Sequence, residues 1–262
     1  MNLKQLLAAT MLSGVTFTSS ALAGPPLATD DAGVVDVGSY EIEANGSFSS
    51  AKGTSEGSTT RTETVDAELK LTTGLYKDLG IALALPRTIN QRTDGDGATS
   101  DAEGFGDVNV EIKYAAAEIA GVKLAIKPSV IIPTGASDIT ANHMQYGVTL
   151  IGSKEFGEGR YTIHTNIGYE YHAYRDNVES RRKNIWSASL AGEAEISTGL
   201  VIVADTGFAS NPGTSSHELP FALAGVRYAV NEHLTLSVGY KTGVTSPKDD
   251  YAVQWGVLIK VP

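Results

Sequence analysis

Residues 106–114 alternate, with Val108, Val110, Ile112 and Tyr114 on one parity and Asp107, Asn109, Glu111 and Lys113 on the other. Successive side chains of a strand point to opposite faces, so this is a strand with one apolar and one charged face. Residues 121–127 repeat the arrangement, Val122, Leu124 and Ile126 against Lys123 and Lys127, and Ile132-Pro133-Thr134-Gly135 ends the run. One such hairpin fits any half-buried sheet, but this chain does the same thing along most of its length. Strands are predicted at 39–50, where Tyr40, Ile42, Ala44 and Phe48 oppose Glu41, Glu43, Asn45 and Ser47, and at 62–75, where Val65, Ala67, Leu69 and Leu71 oppose Asp66, Glu68 and Lys70. A third, 79–88, sets Ile81, Leu83 and Leu85 against Ala82 and Ala84, and its Pro86 marks a bulge or an early end. Beyond the hairpin come 142–154, 160–174, 184–196, 200–209, 219–230, 233–243 and 251–261.

The count is about twelve, an even number, and the connections alternate in length. They are compact at 76–78, 115–120, 155–159, 197–199 and 231–232, and longer and more polar at 51–61, 90–104, 175–183, 210–218 and 244–250. Short turns at one end and long loops at the other characterise an outer-membrane barrel. A secreted β-sandwich also alternates, but its strands are commonly about 5–6 residues long, whereas a membrane-crossing strand needs about 9–11. Aromatic residues sit toward the ends of the apolar face (Tyr40, Phe48, Tyr114, Tyr161, Tyr171, Tyr228, Tyr240, Tyr251), which suits two membrane interfaces. The expected fold is therefore all-β: an antiparallel up-and-down transmembrane β-barrel, its apolar face toward lipid.

Composition adds a destination. Lys4, the apolar run 6–15 and the small-x-small triplet Ala21-Leu22-Ala23 form an export signal over residues 1–23, leaving a barrel of residues 24–262. Its first stretch, 24–38, holds Pro25 and Pro26 and a polar cluster; it is either a plug inside the barrel or a periplasmic tail. The chain has no cysteine, so an exported protein of this kind relies on burial and backbone pairing rather than disulfides. No run of 18 apolar residues follows, which excludes a transmembrane helix. Without Lys4 the remainder has 19 basic and 30 acidic residues, a formal charge of −11 that argues against nucleic acid. The expected partners are outer-membrane lipid, the barrel-assembly machinery and a small-molecule solute.

Several motifs, in order, resemble a known family. They are Pro26-Leu27-Ala28-Thr29-Asp30-Asp31-Ala32, the strand Gly106-Asp107 to Lys113-Tyr114, the stop Ile132-Pro133-Thr134-Gly135, and Gly225-Val226-Arg227-Tyr228 with Gly239-Tyr240. Together they are similar to the outer-membrane proteins of the MetA-pathway of phenol degradation family. The resemblance implies a barrel with a transport role, for aromatic or other hydrophobic compounds. The chain finishes Lys260-Val261-Pro262, where many outer-membrane barrels finish on Phe or Trp.

If the apolar face meets lipid, parity assigns the lumen. The inward acids are Glu41, Glu43, Asp66, Glu68, Asp107, Glu111, Glu170, Glu193, Glu195 and Asp205; the inward bases are Lys70, Lys113, Lys123, Lys127, Arg227 and Lys241, with His164 and His172 beside them. Two readings are open: opposite charges bracing the wall, and a channel that mildly favours cations. Twelve strands fall between filled eight-stranded barrels and open barrels of 16–18, so the lumen should be narrow or partly plugged. No catalytic residue, metal or cofactor is assigned. The enzyme alternative, an outer-membrane lipid hydrolase, has thin support. His143 in Asn142-His143-Met144-Gln145-Tyr146 is faintly similar to the histidine strand of a barrel phospholipase, but no serine follows two residues on. His164, His172 and Glu170 form a possible base or metal group, and the remaining alternative is a plugged structural barrel. Asp94-Gly95-Asp96-Gly97 with Asp101 and Glu103 lacks the spacing of a calcium loop and reads as solvated surface. The run Arg181-Arg182-Lys183 falls near the rim and reads first as an ordinary solvated run, with contact to lipid phosphates as the alternative.

Overall fold

The structure, a computed structural model, describes residues 25–55, 58–95, 98–140, 142–174, 181–210, 219–244 and 250–262. The export segment 1–23 and parts of the connections 175–183, 210–218 and 244–250 lie outside the described residues. The strands are β1 (Tyr40–Ser55), β2 (Ser58–Tyr76), β3 (Leu79–Gly95), β4 (Ala98–Phe105), β5 (Val108–Ile119), β6 (Val122–Ile132), β7 (Gln145–Phe156), β8 (Tyr161–His172), β9 (Asn184–Ser197), β10 (Leu200–Ala209), β11 (Leu219–Ala229), β12 (Leu234–Gly243) and β13 (Tyr251–Val261). All pairings between them are antiparallel, and β1 closes on β13 from Tyr40↔Val261 to Ser50↔Tyr251. Closure leaves no sheet edge to strand N–H and C=O groups in hydrocarbon, where each would cost several kcal/mol.

Thirteen segments make twelve wall positions, because β4 and β5 share one place beside β3. The β3–β5 ladder ends at Ala84↔Asn109, and the β3–β4 ladder starts at Arg87↔Phe105. Pro86 falls in the gap. It has no N–H to donate, and the junction is held instead by Gly106 N–H donating to the Pro86 carbonyl at 2.8 Å. The expected irregularity at Pro86 is real, but β3 runs on and the partner strand breaks.

Three connections differ from expectation. The stretches 51–61 and 90–104, read as loops, are mostly strand: β1 and β2 pair out to Ser55↔Ser58, and β3 and β4 to Gly95↔Ala98. Their sequences hold threonines at 54, 59, 60, 93 and 99, which favour strands, and Thr62 of β2 meets Thr93 of β3 at 3.1 Å. Asp94 is held by Arg92 at 3.0 Å and Thr99 at 2.6 Å as part of that hairpin. The connection 115–120 is likewise strand up to Ile119, and the turn is Ala120-Gly121 with φ +53° and +74°. Positive φ at both central residues matches the type I′ hairpin.

The burial pattern is inside out. Leu150 is 55 % and Ile167 56 % exposed midway along β7 and β8, whereas His164 is fully buried and Glu193 and Arg227 nearly so. Polar side chains outnumber apolar ones among the buried residues. On the outer face, Tyr40, Tyr76, Phe156, Tyr161 and Tyr228 sit near the turn end, and Tyr146, Tyr171, Trp186, Phe208 and Tyr240 toward the loop end. From Tyr161 to Tyr171 is ten residues, about 33 Å of strand, and a strand tilt of roughly 40° reduces that to about 25 Å, the height of an outer-membrane apolar band.

A lipid-facing wall makes a sharp prediction. Leu150→Arg, at mid-band, should destabilise the barrel in bilayers by about 2–4 kcal/mol, and Ile196→Arg, at the turn end of β9, by about 0–1. Equilibrium unfolding in lipid checks this. Equal, negligible costs at both sites would contradict a membrane-facing surface.

Candidate functional site

The lumen is not empty space. Residues 25–35 run inside the wall and 36–39 lead to β1 at its turn end, and nearly every residue of Pro26-Leu27-Ala28-Thr29-Asp30-Asp31-Ala32 has a partner within. Pro25 and Pro26 lie against glycines that face inward on three successive strands: Gly225 on β11, Gly239 on β12 and Gly256 on β13. A Cβ built on Gly239 would come within 2.5 Å of Pro26, and one on Gly256 within 2.9 Å of Pro25. The small residues make a cradle the width of a proline pair. Two residues on, Asp205 accepts three hydrogen bonds: Ala28 N–H at 2.7 Å, Thr29 N–H at 2.8 Å and Thr29 Oγ1–H at 2.7 Å.

Asp30 is the electrostatic centre. Its carboxylate accepts from Lys113 at 2.7 Å and pairs with Lys127 at 2.8 Å. Asn166, with its amide turned to suit both partners, bonds Asp30 N at 2.7 Å and Asp30 O at 2.9 Å. Burial alone would raise the Asp30 carboxyl, but Lys113, Lys127 and Lys70 outweigh it and hold the group well below the usual carboxylate range. The network continues into the wall, Lys127 to Glu111 at 3.2 Å and Glu111 to Lys70 at 3.3 Å. Lys70 is on β2 and Glu111 on β5, with β3 between them. β3 presents Ala82 and Ala84 to the interior there, small enough for the pair to bridge over it.

A second chain of contacts starts at Ala32. Its N–H donates to Ser153 Oγ at 2.9 Å, Ser153 Oγ meets His164 Nδ1 at 2.8 Å, and His164 Nε2 lies 3.3 Å from Glu193, which is paired with Arg227. Ala32 itself is buried with Ala125 and Ile151. The Ala32 N–H takes one acceptor site of the serine oxygen, whose hydroxyl is still able to donate to Nδ1, and His164 Nε2 faces the Glu193 carboxylate without an aligned hydrogen bond.

The remaining expected residues fall as follows. Glu41 pairs with Lys260 at 3.6 Å, Asp66 accepts from Thr88 at 2.9 Å, and Asp107 accepts from Gly135 N–H at 3.0 Å, fastening the Pro133-Thr134-Gly135 stop to the wall. Glu43 and Glu68 line a cavity described below. Lys241 stands 4.4 Å over the Phe221 ring. Glu170 and His172 pair at 2.5 Å near the loop end. Two assignments need correction. Lys123 is half exposed and pairs with Glu155 at the turn-end rim, and Glu195 accepts from the Gly199 N–H in the β9–β10 turn. Parity is right for both, but near a strand's end a long side chain reaches past the wall instead of into the lumen. His164 and His172 do not form a group, being eight residues apart on one strand, about 26 Å. The Arg181 guanidinium lies 5.7 Å over the Tyr174 ring. Among the described residues no cluster of three or more His, Cys, Asp or Glu is placed to hold a metal.

Two cavities flank the lead-in. One, of about 240 Å³, lies toward the turn end between residues 27–35 and Glu41, Glu43, Lys70, Glu111, Lys113 and Lys127. The other, of about 580 Å³, opens toward the loop end past Ser47, Asp66, Thr88, Asp107 and Gln145. They share Pro25, Leu27, Asn45 and Glu68.

A family model described as "Putative MetA-pathway of phenol degradation" matches residues 24–261. The chain belongs to this family. That agrees with the resemblance carried by the Pro26–Ala32 motif and the two glycine motifs of β11 and β12. No curated protein matches the sequence. Among solved structures, the chain is similar to an outer membrane channel from Pseudomonas putida F1, with a TM-score of 0.73 and 15% identity over 88% of this chain and 98% of that one. The NanC porin gives 0.59 and 14% over 83% and 98%, and the translocator domain of the autotransporter NalP from Neisseria meningitidis gives 0.54 and 12% over 87% and 89%. At these identities the likeness establishes the fold, that of outer-membrane β-barrels.

Sequence reasoning missed Asp30, Thr29 and Ser153 as lumen residues. Ser153 shares the parity of Ile151, and the strand pattern held the signal. Asp30 lies in a stretch without periodicity, where only the chain's inward route reveals its partners.

The glycine cradle can be filled. Gly239→Val should leave the barrel folded, judged by heat-modifiable migration, yet dislodge Pro25 and Pro26 and speed proteolysis within residues 25–39 by tenfold or more. Gly192→Ala, where an added Cβ meets nothing within 4 Å, is the matched control. Unchanged proteolysis in Gly239→Val would mean that the cradle does not hold the segment.

Proposed function

We propose that this chain is an outer-membrane channel for the passive passage of small molecules, with residues 25–39 acting as a plug tethered at one end. The observation that carries the reading is the Asp30 latch: a carboxylate of the lead-in held by Lys113 and Lys127 of the wall, with a cavity on each side. The segment enters from the turn end, where β1 begins, and Val37 bridges to Gly74. If the export signal is removed after Ala23, the plug tip is the chain's own N-terminus, one residue before the proline cradle. A free tip on a tethered arm can withdraw without unfolding the wall. By the usual orientation of such barrels, the turn end faces the periplasm and the long hairpins face outward.

The family's description names phenol degradation, and it supports hydrophobic or aromatic solutes as the cargo class. The partition between the two cavities suits such a solute, with Pro25 and Leu27 offering apolar edges and Asn45 and Glu68 polar ones. Among the lumen residues, Lys70, Glu111, Lys113, Lys127, Asp205, Glu193 and Arg227 brace the wall and hold the plug, and Glu41, Glu43, Asp66 and Glu68 tune which solutes pass.

One observation favours a second reading, the Ser153–His164–Glu193 series, which has the residue types of a hydrolase triad. Its serine oxygen is already engaged by Ala32 N–H, and all three side chains are buried beneath the lead-in. The contacts suit a strut better than a nucleophile.

Planar-bilayer recording of refolded protein tests the channel. Wild type should show small or rare conductance steps. Asp30→Ala, which removes the carboxylate joining Lys113 to Lys127 and leaves them only Asp31 and Glu111, should raise open probability several-fold, and deletion of residues 25–32 should raise it further. No conductance in the deletion would overturn the reading. In parallel, Ser153→Ala should leave hydrolysis of nitrophenyl esters at background in both proteins; activity abolished by that change would favour the enzyme.

A further inference from the structure

One group of side chains takes no part in the plug or its latch. At the loop end of the lumen, His143 precedes β7, while Glu170, His172 and Tyr174 lie at the end of β8. Gln145 pairs with His172, and Ala173 N–H donates to the Met144 carbonyl at 2.9 Å, so residues 143 and 174 stand opposite each other on the same parity. His172 N–H donates to the Lys183 carbonyl at 2.8 Å, and Tyr174 N–H to the His172 carbonyl at 3.1 Å, which fixes the backbone on the far side. His143 and His172 are both buried.

The side chains converge on one atom. His172 Nδ1 lies 3.0 Å from His143 Nε2 and 3.2 Å from Tyr174 Oη. On the other edge of the ring, His172 Nε2 is 2.5 Å from Glu170 Oε1. In the neutral ring, with Nε2–H donating to the carboxylate, Nδ1 carries a lone pair. The Tyr174 hydroxyl is placed to donate to it, and His143 Nε2 faces it as a second ring nitrogen, able to ligate when the His143 proton lies on Nδ1. An imidazole whose outer nitrogen is bound to a carboxylate, with its inner nitrogen deprotonated and aimed at a second imidazole, has the arrangement of a metal-ligating histidine with its orienting partner.

We propose that this end of the lumen binds a borderline divalent transition metal, Zn2+ or a cation like it, through His143 Nε2 and His172 Nδ1, with the Tyr174 phenol beside them and Glu170 positioning His172. Two bonds of about 2.0–2.1 Å at a tetrahedral angle set their nitrogens roughly 3.3 Å apart. The present separation is 3.0 Å, so a movement of a few tenths of an ångström admits the ion. Two imidazoles and a phenol select Zn2+ or Cu2+ over Ca2+ and Mg2+, which prefer carboxylate and carbonyl oxygen. Remaining positions fall to water from the vestibule, which Gln145 lines beside His172. Bound there, the metal joins the start of β7 to the end of β8 across the mouth of the barrel. Glu170 is here a positioning residue and the two histidines are ligands.

Zn2+ titration of detergent-solubilised, tag-free protein by calorimetry tests the site. One ion per chain is expected, weakened at least tenfold in His172→Ala and in His143→Gln, and about 10–100-fold in Glu170→Gln. His233→Ala, a half-exposed rim histidine, should bind as wild type. Electron paramagnetic resonance of wild type loaded with Cu2+ should show coupling to two imidazole nitrogens, a readout that needs no variant to fold. Absence of that coupling, absence of Zn2+ binding at millimolar metal, or undiminished binding in folded His143→Gln and His172→Ala would each overturn the proposal.

Discussion

A β-strand in hydrocarbon has no solvent for its N–H and C=O groups, and every other property of this molecule follows from that. The only remedy for strands is a closed ring. Closure turns parity into a sorting rule: each strand must send one set of side chains to lipid and the other to the interior. The outer set can be any greasy residue, because lipid does not demand shape. The inner set has to satisfy itself within a lumen too narrow for bulk water to do the work.

That second demand explains the lead-in. Lysines 70, 113 and 127 project into one sector of the lumen with Glu111 as the wall's own counter-charge. Lys70 also adjoins Glu43 and Glu68, but Lys113 depends on the lead-in for close partners and Lys127 shares Glu111 with Lys70, and unpaired charge in a confined space is costly. Asp30 and Asp31 supply the missing charge from the chain's own N-terminal segment. The wall's small residues serve the same arrangement, Gly225, Gly239 and Gly256 by admitting the prolines and Ala82 and Ala84 by letting Lys70 reach Glu111. Complementarity is therefore built from both sides, charge on one sector and absence of side chain on the other.

How much of this the sequence disclosed depends on whether periodicity carries it. The barrel, the number of wall positions, the lipid face and the pairing of short with long connections all repeat along the chain, so errors at one strand do not propagate. The errors fall at ends. Lys123 and Glu195 have lumen parity yet act at the rim, because parity fixes direction and not depth. The hairpin extensions at 51–61 and 90–104 were hidden by polar composition, since a strand that leaves the membrane no longer needs an apolar face. The pairing of His164 with His172 fails for the same reason as the pairing of His143 with His172 was overlooked: contacts across a sheet depend on register, and register is set by the turns. Residues 24–38 have no period, and the two possibilities for them, plug or tail, differ only in tertiary partners.

The charge pattern also bears on what the lumen would become with the tip withdrawn. Lys70, Lys113 and Lys127 would then share the turn-end cavity with Glu41, Glu43, Glu68 and Glu111, with Lys70 directly opposite Glu43 of β1 and two residues from Glu68 on β2. Basic and acidic side chains interleaved in this way pair locally and leave little net charge, three lysines against four glutamates. Such a lining is compatible with the hydrophobic or aromatic cargo proposed above, because a ring with a polar substituent meets both donors and acceptors there while a simple ion is held by fixed counter-charges. Of the two readings that the excess of acids leaves open, bracing of the wall and mild cation preference, the ion pairs of Lys70, Lys113 and Lys127 accord with the first. On that view the plug does more than close the hole: Asp30 completes the pairing of Lys113 and Lys127, and its departure frees both to meet what passes.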